Sequence, residues 1–186
     1  MNINLFIANA DGSLNDKRKL IKSAFNKASE AANKTIGADD IDVIFLDAPN
    51  NVIKELGVGG YTASSHLIYV SINPKFPIKE ISLLSCLLHE MHHTVRWRKP
   101  GFGKTLKEVL ITEGLATLFE EEITGKTPIY AKVKYDEKCV ELANKEFDNS
   151  KFNYYDWFVG GDKEKGISRW FGYSYGYQLA KRQKKT

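Results

Sequence analysis

Cysteine is scarce in this chain. Cys86 and Cys139 are the only two in 186 residues. That is too few for a disulfide framework, so both read as free thiols in a reducing compartment. No apolar run approaches the roughly 20 residues that a membrane-spanning helix needs. The apolar stretch at residues 3–8 has no basic residues ahead of it and is too short for a signal-peptide core. The expectation is a cytoplasmic protein with no membrane partner. An excess of one charge is lacking too, with 27 Lys and Arg against 23 Asp and Glu, net +4. A nucleic-acid binder would gather its basic residues into a stripe. The one dense cluster, Lys181-Arg182-Gln183-Lys184-Lys185, reads as a frayed end, so no nucleic-acid partner is expected. Internal repeats and low-complexity linkers are missing, and nothing in the sequence signals an oligomeric state. The length suits one domain, with two lobes at about residues 1–100 and 101–186 around a cleft.

What is present divides into strands first and helices second. Residues 3–8 and 41–47 read as strands, bounded by Asp11-Gly12 and Pro49-Asn50, and residues 67–72 as a third, ended by Asn73-Pro74. The stretch Gly57-Val58-Gly59-Gly60 reads as a turn. Leu20, Ile21, Ala24, Phe25, Ala28 and Ala32 recur at helical spacing within residues 14–35, with Ser13 and Asp16 as a weak capping box. Pro77 suits a first helical position. Residues 78–98 then form a helix that is apolar nearly all round, and such a helix is buried. Thr105 and Glu108 cap a helix over 105–124 that stops at Gly125. Further helices are expected at about 132–148 and 172–182. Residues 150–171, rich in aromatics and glycine, take no assignment. The fold class is therefore α+β: a small twisted sheet packed on a buried helix, with a helical C-terminal half.

Three of the four histidines lie in His89-Glu90-Met91-His92-His93. On a helix, His89 and His93 are four apart and share a face, so both imidazoles can reach one metal. Glu90 is rotated by about 100° from His89. It can lie beside the metal without binding it, where a general base for an attacking water belongs. Zinc lowers the pKa of such a water from about 15.7 to about 7, and Glu90 takes its proton. A chance histidine-rich surface is the competing reading. It fits poorly with the preceding Leu83-Leu84-Ser85-Cys86-Leu87-Leu88, because buried imidazoles and a carboxylate need partners. His92 is expected to support the site or to be partly exposed.

An open catalytic zinc site uses three protein ligands. A third histidine six residues after His93, with glycine at plus three, would mark a metzincin. Those positions hold Lys99 and Arg96, which excludes that class. The first aspartate downstream is Asp136, too far on to be favoured. Glu113, twenty residues after His93 in Ile111-Thr112-Glu113-Gly114-Leu115-Ala116, is the candidate. One chain reversal at residues 100–103 and half a returning helix would bring it back. Gly114 and Ala116 would let the two helices approach closely. Glu108 is a cap, and Glu120, Glu121 and Glu122 read as a solvated helix end. Glu120, on the face of Glu113, could instead accept a hydrogen bond from a ligand imidazole.

His-Glu-Met-His-His followed by Thr-Val-Arg, and then Thr-Glu-Gly-Leu-Ala, resembles the gluzincin type of zinc peptidase. More narrowly, it resembles an uncharacterised bacterial family of predicted zinc-dependent proteases. The segments Gly59-Gly60-Tyr61-Thr62 and Gly172-Tyr173-Ser174-Tyr175-Gly176-Tyr177 add to the resemblance, which covers about residues 59–180. It implies a zincin-like fold with an edge strand beside the active-site helix, for which residues 67–72 are the match. An extended peptide could pair with that edge. It also implies one catalytic zinc held by His89, His93 and Glu113. One departure stands out. Gluzincins often carry an aspartate four residues after the ligand glutamate, hydrogen-bonded to a ligand histidine, and here that residue is Thr117.

Peptide hydrolysis builds an oxyanion, and a second donor besides the metal is usual. Tyr173 and Tyr177 lie on one face of the last helix, with Gly172 and Gly176 permitting close packing. They are the candidates, Tyr173 ahead of Tyr177, against the alternative that both fill core. Arg96 and Arg169 are further candidates. The expected activity is zinc-dependent hydrolysis of peptide bonds in a peptide or protein substrate. The alternatives are a zinc-bound but idle binding or chaperone-like module, and a metal-dependent hydrolase of non-peptide amides or esters. Glu90 favours hydrolysis, since a structural site would not need it.

Overall fold

The computed structural model describes residues 2–184, so Lys185 of the basic cluster lies outside the described residues. The chain divides into two compact units, Met1–Lys99 and Pro100–Thr186.

The first unit contains β1 (Ile3–Ala8), α1 (Arg18–Ile36), β2 (Ile41–Asp47), β3 (Val58–Ser64), β4 (Leu67–Ile72) and α2 (Glu80–Arg98). The four strands form one sheet in the order β1-β2-β4-β3. β1 and β4 run parallel to β2, and β3 runs antiparallel to β4. Along β2, Ile41, Val43 and Phe45 are buried and alternate with exposed or half-buried neighbours, as a strand with one covered face must. Ile21, Ala24, Phe25, Ala28 and Ala32 make the buried face of α1. Burying a large apolar side chain contributes about 1.5–3 kcal/mol. α1 packs on α2, and α2 packs on β3 and β4.

Two expectations change here. Residues 57–60 are not only a turn: Gly57 turns with φ 69°, and β3 begins at the next residue. Two glycines inside the strand hid it from β-propensity. The edge strand beside α2 is therefore β3, and residues 67–72 form an interior strand, β4, between β2 and β3. Ser13 also makes no capping box. Its backbone N–H donates to the Asp11 carboxylate at 3.0 Å, and α1 is entered through a short 3-10 turn, Asn15–Lys17.

The second unit contains α3 (Leu106–Thr124), α4 (Glu137–Lys145) and α5 (Phe171–Lys184). Thr105 and Glu108 form both halves of the expected capping box. α4 is shorter than the expected 132–148. It starts where the Asp136 carboxylate accepts the Cys139 backbone N–H at 2.9 Å. Residues 150–171 hold a single π-helical turn, Tyr155–Val159. Its Trp157 and Phe158 enter a core with Leu106, Leu110, Phe171 and Tyr175. α3 and α5 pack along each other. A Cβ at Gly114 would collide with the backbone carbonyl of Gly176, and one at Gly176 with that of Leu110. The small residue at 114 thus serves the approach of α5.

At this end Glu122 is exposed as expected, but Glu120 is not solvated and the basic tail is not frayed as far as Lys184. Glu120 is fully buried and accepts a hydrogen bond from the Tyr130 hydroxyl. α5 stays helical to Lys184. Lys181 bonds the Tyr177 hydroxyl at 2.8 Å and pairs with Glu121, and Lys184 pairs with Glu122.

Candidate metal centre

The helical repeat of α2 sends Leu83, Leu87 and Met91 into the core and brings His89, Glu90 and His93 under cover as well, all buried. The His89 and His93 rings meet edge to face, centroids 4.5 Å apart and planes nearly perpendicular at 87°. One turn of helix sets that separation. His92 lies on a neighbouring face and is half-buried.

Glu90 is held from β3. The Thr62 hydroxyl lies 2.7 Å from Oε2 of Glu90 and 3.0 Å from its backbone carbonyl. Gly60, two residues along and so on the same face of the strand, comes against the same side chain. A Cβ built there would stand 2.5 Å from Cγ and Oε1 of Glu90.

Glu113, in the middle of α3, is only 1 % exposed. The Tyr154 hydroxyl donates to its Oε1 at 2.9 Å, and the Tyr173 hydroxyl lies 3.2 Å from that of Tyr154. Burial, and after it the Glu113 carboxylate, pushes the Tyr154 phenol well above its ordinary value. Tyr173 therefore stands one hydroxyl removed from Glu113, and Tyr154 is the residue that sequence reasoning missed. It is 41 positions from Glu113, in a segment without periodicity; the aromatic run that contains it was the only available signal. Thr117 donates to the Glu113 backbone carbonyl at 2.8 Å. It bonds within its own helix.

Tyr177 is engaged elsewhere. It packs with Leu118, Ala131 and Ala180, and its hydroxyl donates to Glu121. The Arg169 guanidinium lies 3.7 Å over the Trp170 ring, in the stacking geometry of a cation–π pair. Arg96 is half-buried.

Among the described residues, His89, His93 and Glu113 form a group that could hold a metal ion. Each offers one ligand atom, and these atoms lie within 4.8 Å of one another. Two imidazoles and a carboxylate are the donor set of an open zinc site. Three such groups, each buried, with a second carboxylate, Glu90, buried on α2 beside His89, fit that ion better than they fit a plain core. No helix among the described residues is long and apolar enough to cross a membrane.

The family described as predicted Zn-dependent protease (DUF2268) matches residues 18–185. Comparison with curated proteins and with solved structures finds no match.

Proposed function

The chain belongs to this family of predicted Zn-dependent proteases, and from that premise we propose that it hydrolyses peptide bonds as a gluzincin, with one zinc ion held by His89, His93 and Glu113. The observation that carries the reading is the buried trio of ligand atoms within 4.8 Å, with the carboxylate of Glu90 on the next helical position.

Zinc bound there would supply a Lewis acid and bring a water toward neutral pKa. The chain's own residues do the rest. Glu90 accepts the proton of the attacking water and passes it to the leaving amine. His89 and His93 present their ring nitrogens from one helix face, and Glu113 completes the set from α3. Tyr173 supplies the oxyanion donor, and Tyr154, whose hydroxyl lies 3.2 Å from that of Tyr173, spends its own proton on Oε1 of Glu113 and steadies that carboxylate. Tyr177, tied to Glu121 and Lys181, has a packing role. An extended substrate pairs with the outer edge of β3. Among the described residues that strand pairs along its length with β4 and is bridged at its start by Ile53, opposite Val58, while its Tyr61 is 66 % exposed. This arrangement supports a zincin-like description of the sheet and α2.

The test is Glu90→Gln. The amide keeps the shape but cannot take a proton at neutral pH, and general bases contribute about 10²–10⁴-fold. The variant should bind zinc as the wild type does and lose cleavage of a mixed peptide library. His93→Ala should lose both. Equal loss of zinc in the two variants would make Glu90 a ligand and end this reading.

A further inference from the structure

We propose that Gly60 and Thr62 of β3 are positioning residues for the Glu90 carboxylate. Thr62 anchors Oε2, and Gly60 keeps open the space that Cγ and Oε1 occupy. The inference rests on the reading of Glu90 as the base.

Gly60 and Thr62 project from the same face of β3, because side chains two apart share a face, and that face packs on α2. The Thr62 hydroxyl has one proton. Its two acceptors are Glu90 Oε2 at 2.7 Å and the Glu90 carbonyl at 3.0 Å. The carboxylate is the shorter and the charged one, and charge-assisted hydrogen bonds are about twice as strong as neutral ones. The proton therefore belongs on Oε2. A glutamate side chain has three rotatable bonds, and Thr62 fixes its far end. Oε1 is left as the oxygen to accept a proton from water.

Gly60 addresses the other oxygen. Its φ lies outside the left-handed region, so any residue could adopt its backbone conformation. Space is what demands glycine here. A Cβ would stand 2.5 Å from Cγ and Oε1 and 2.7 Å from Cδ of Glu90. The atoms it would strike belong to a flexible side chain, so the fold can absorb an alanine by turning Glu90 aside. Gly59 differs: a Cβ there would run into the backbone carbonyl of Asn51. Of the two adjacent glycines, one serves chain crossing and the other serves Glu90.

The experiment compares zinc-loaded wild type, Thr62→Val, Thr62→Ser and Gly60→Ala in three readouts: zinc content, kcat and KM on a peptide that the wild type cleaves, and a crystal structure of each. Displacing a catalytic group by about 1 Å costs about a hundredfold. Thr62→Val and Gly60→Ala should therefore lower kcat about a hundredfold. KM should stay within about threefold and zinc should stay stoichiometric, since the changes fall on side chains that face Glu90, whereas substrate pairs with the backbone of β3 and neither residue is a metal ligand. Thr62→Ser should restore kcat to within about threefold. In the crystals, Glu90 should leave its wild-type rotamer in the valine and alanine variants and keep it in the serine variant. A Glu90 that stays in place in Thr62→Val and Gly60→Ala overturns the proposal, as does a serine variant no better than valine. If the wild type cleaves nothing, the peptidase reading fails, while the rotamer of Glu90 in the crystals still decides the positioning claim.

Discussion

Gly114→Ala probes the closest packing in the second unit. The new methyl would collide with the carbonyl of Gly176 on α5 and lie 2.9 Å from the Tyr177 backbone nitrogen. These are backbone atoms, so no rotamer change relieves the contact, and α5 must move as a body. Overpacking of this kind costs about 1–3 kcal/mol, occasionally more, and a whole-helix shift belongs at the upper end. Alanine returns about 1 kcal/mol through its better helix propensity. The net loss is about 2 kcal/mol, or roughly 4–8 °C in Tm for a chain of this size. Tryptophan fluorescence during thermal unfolding suits the measurement, because Trp157 and Trp170 both lie in the affected unit. Gly176→Ala should behave alike, since its Cβ meets the Leu110 carbonyl. The double variant should lose less than the two together, because helices already separated have room for the second methyl. Glu113 sits one residue from the collision, so zinc affinity should fall in parallel. An unchanged or raised Tm, or strict additivity in the double variant, would refute backbone contact at this crossing.

Two further outcomes are expected. Tyr173→Phe should lower kcat about a hundredfold with little change in KM, the size and sign of losing an oxyanion donor; Tyr154→Phe should instead weaken zinc binding about 10–100-fold, because Glu113 loses the hydrogen bond that orients it, and steady-state kinetics with zinc content measured alongside separates the two. Glu121, although burial raises its pKa, is held below the usual glutamate value on balance by hydrogen bonds from Thr127 and Tyr177 and by Lys181. A carboxyl depressed on folding stabilises above its unfolded pKa and loses that contribution as pH falls through the folded value. The stability difference between wild type and Glu121→Gln should thus be full above the ordinary glutamate value of about 4.5 and shrink below it, which urea unfolding across pH 3–7 will follow.

The parts of the molecule that local spacing determines were legible in the sequence. His89, Glu90 and His93 sit on one helix, and the 3.6-residue period brings the two imidazoles together without reference to anything else. The capping box at Thr105 and Glu108 is likewise a pattern four residues long. Glu113 was within reach because a reversal at Pro100 and Gly101 and a returning helix leave few positions for it. What stayed hidden depends on tertiary partners. β3 contains Gly59 and Gly60, which lower strand propensity and read as a turn; the strand needs them because the backbone of Asn51 and Val52 and the side chain of Glu90 press against it. Tyr154 carries no periodic signal, since a π-helical turn and stacking on Phe158, centroids 4.6 Å apart, set its direction. Glu120 looked solvated among three consecutive glutamates, and only the position of Tyr130 shows otherwise.

The central claim is that His89, His93 and Glu113 hold one zinc ion. Anomalous diffraction at the zinc edge, on crystals of protein loaded with one equivalent of zinc, tests it most directly. The account predicts a single strong peak with nitrogen ligands from both histidines at about 2.0–2.1 Å and a Glu113 oxygen at about 2.0–2.2 Å. A peak elsewhere on the chain with none among these three residues would contradict it.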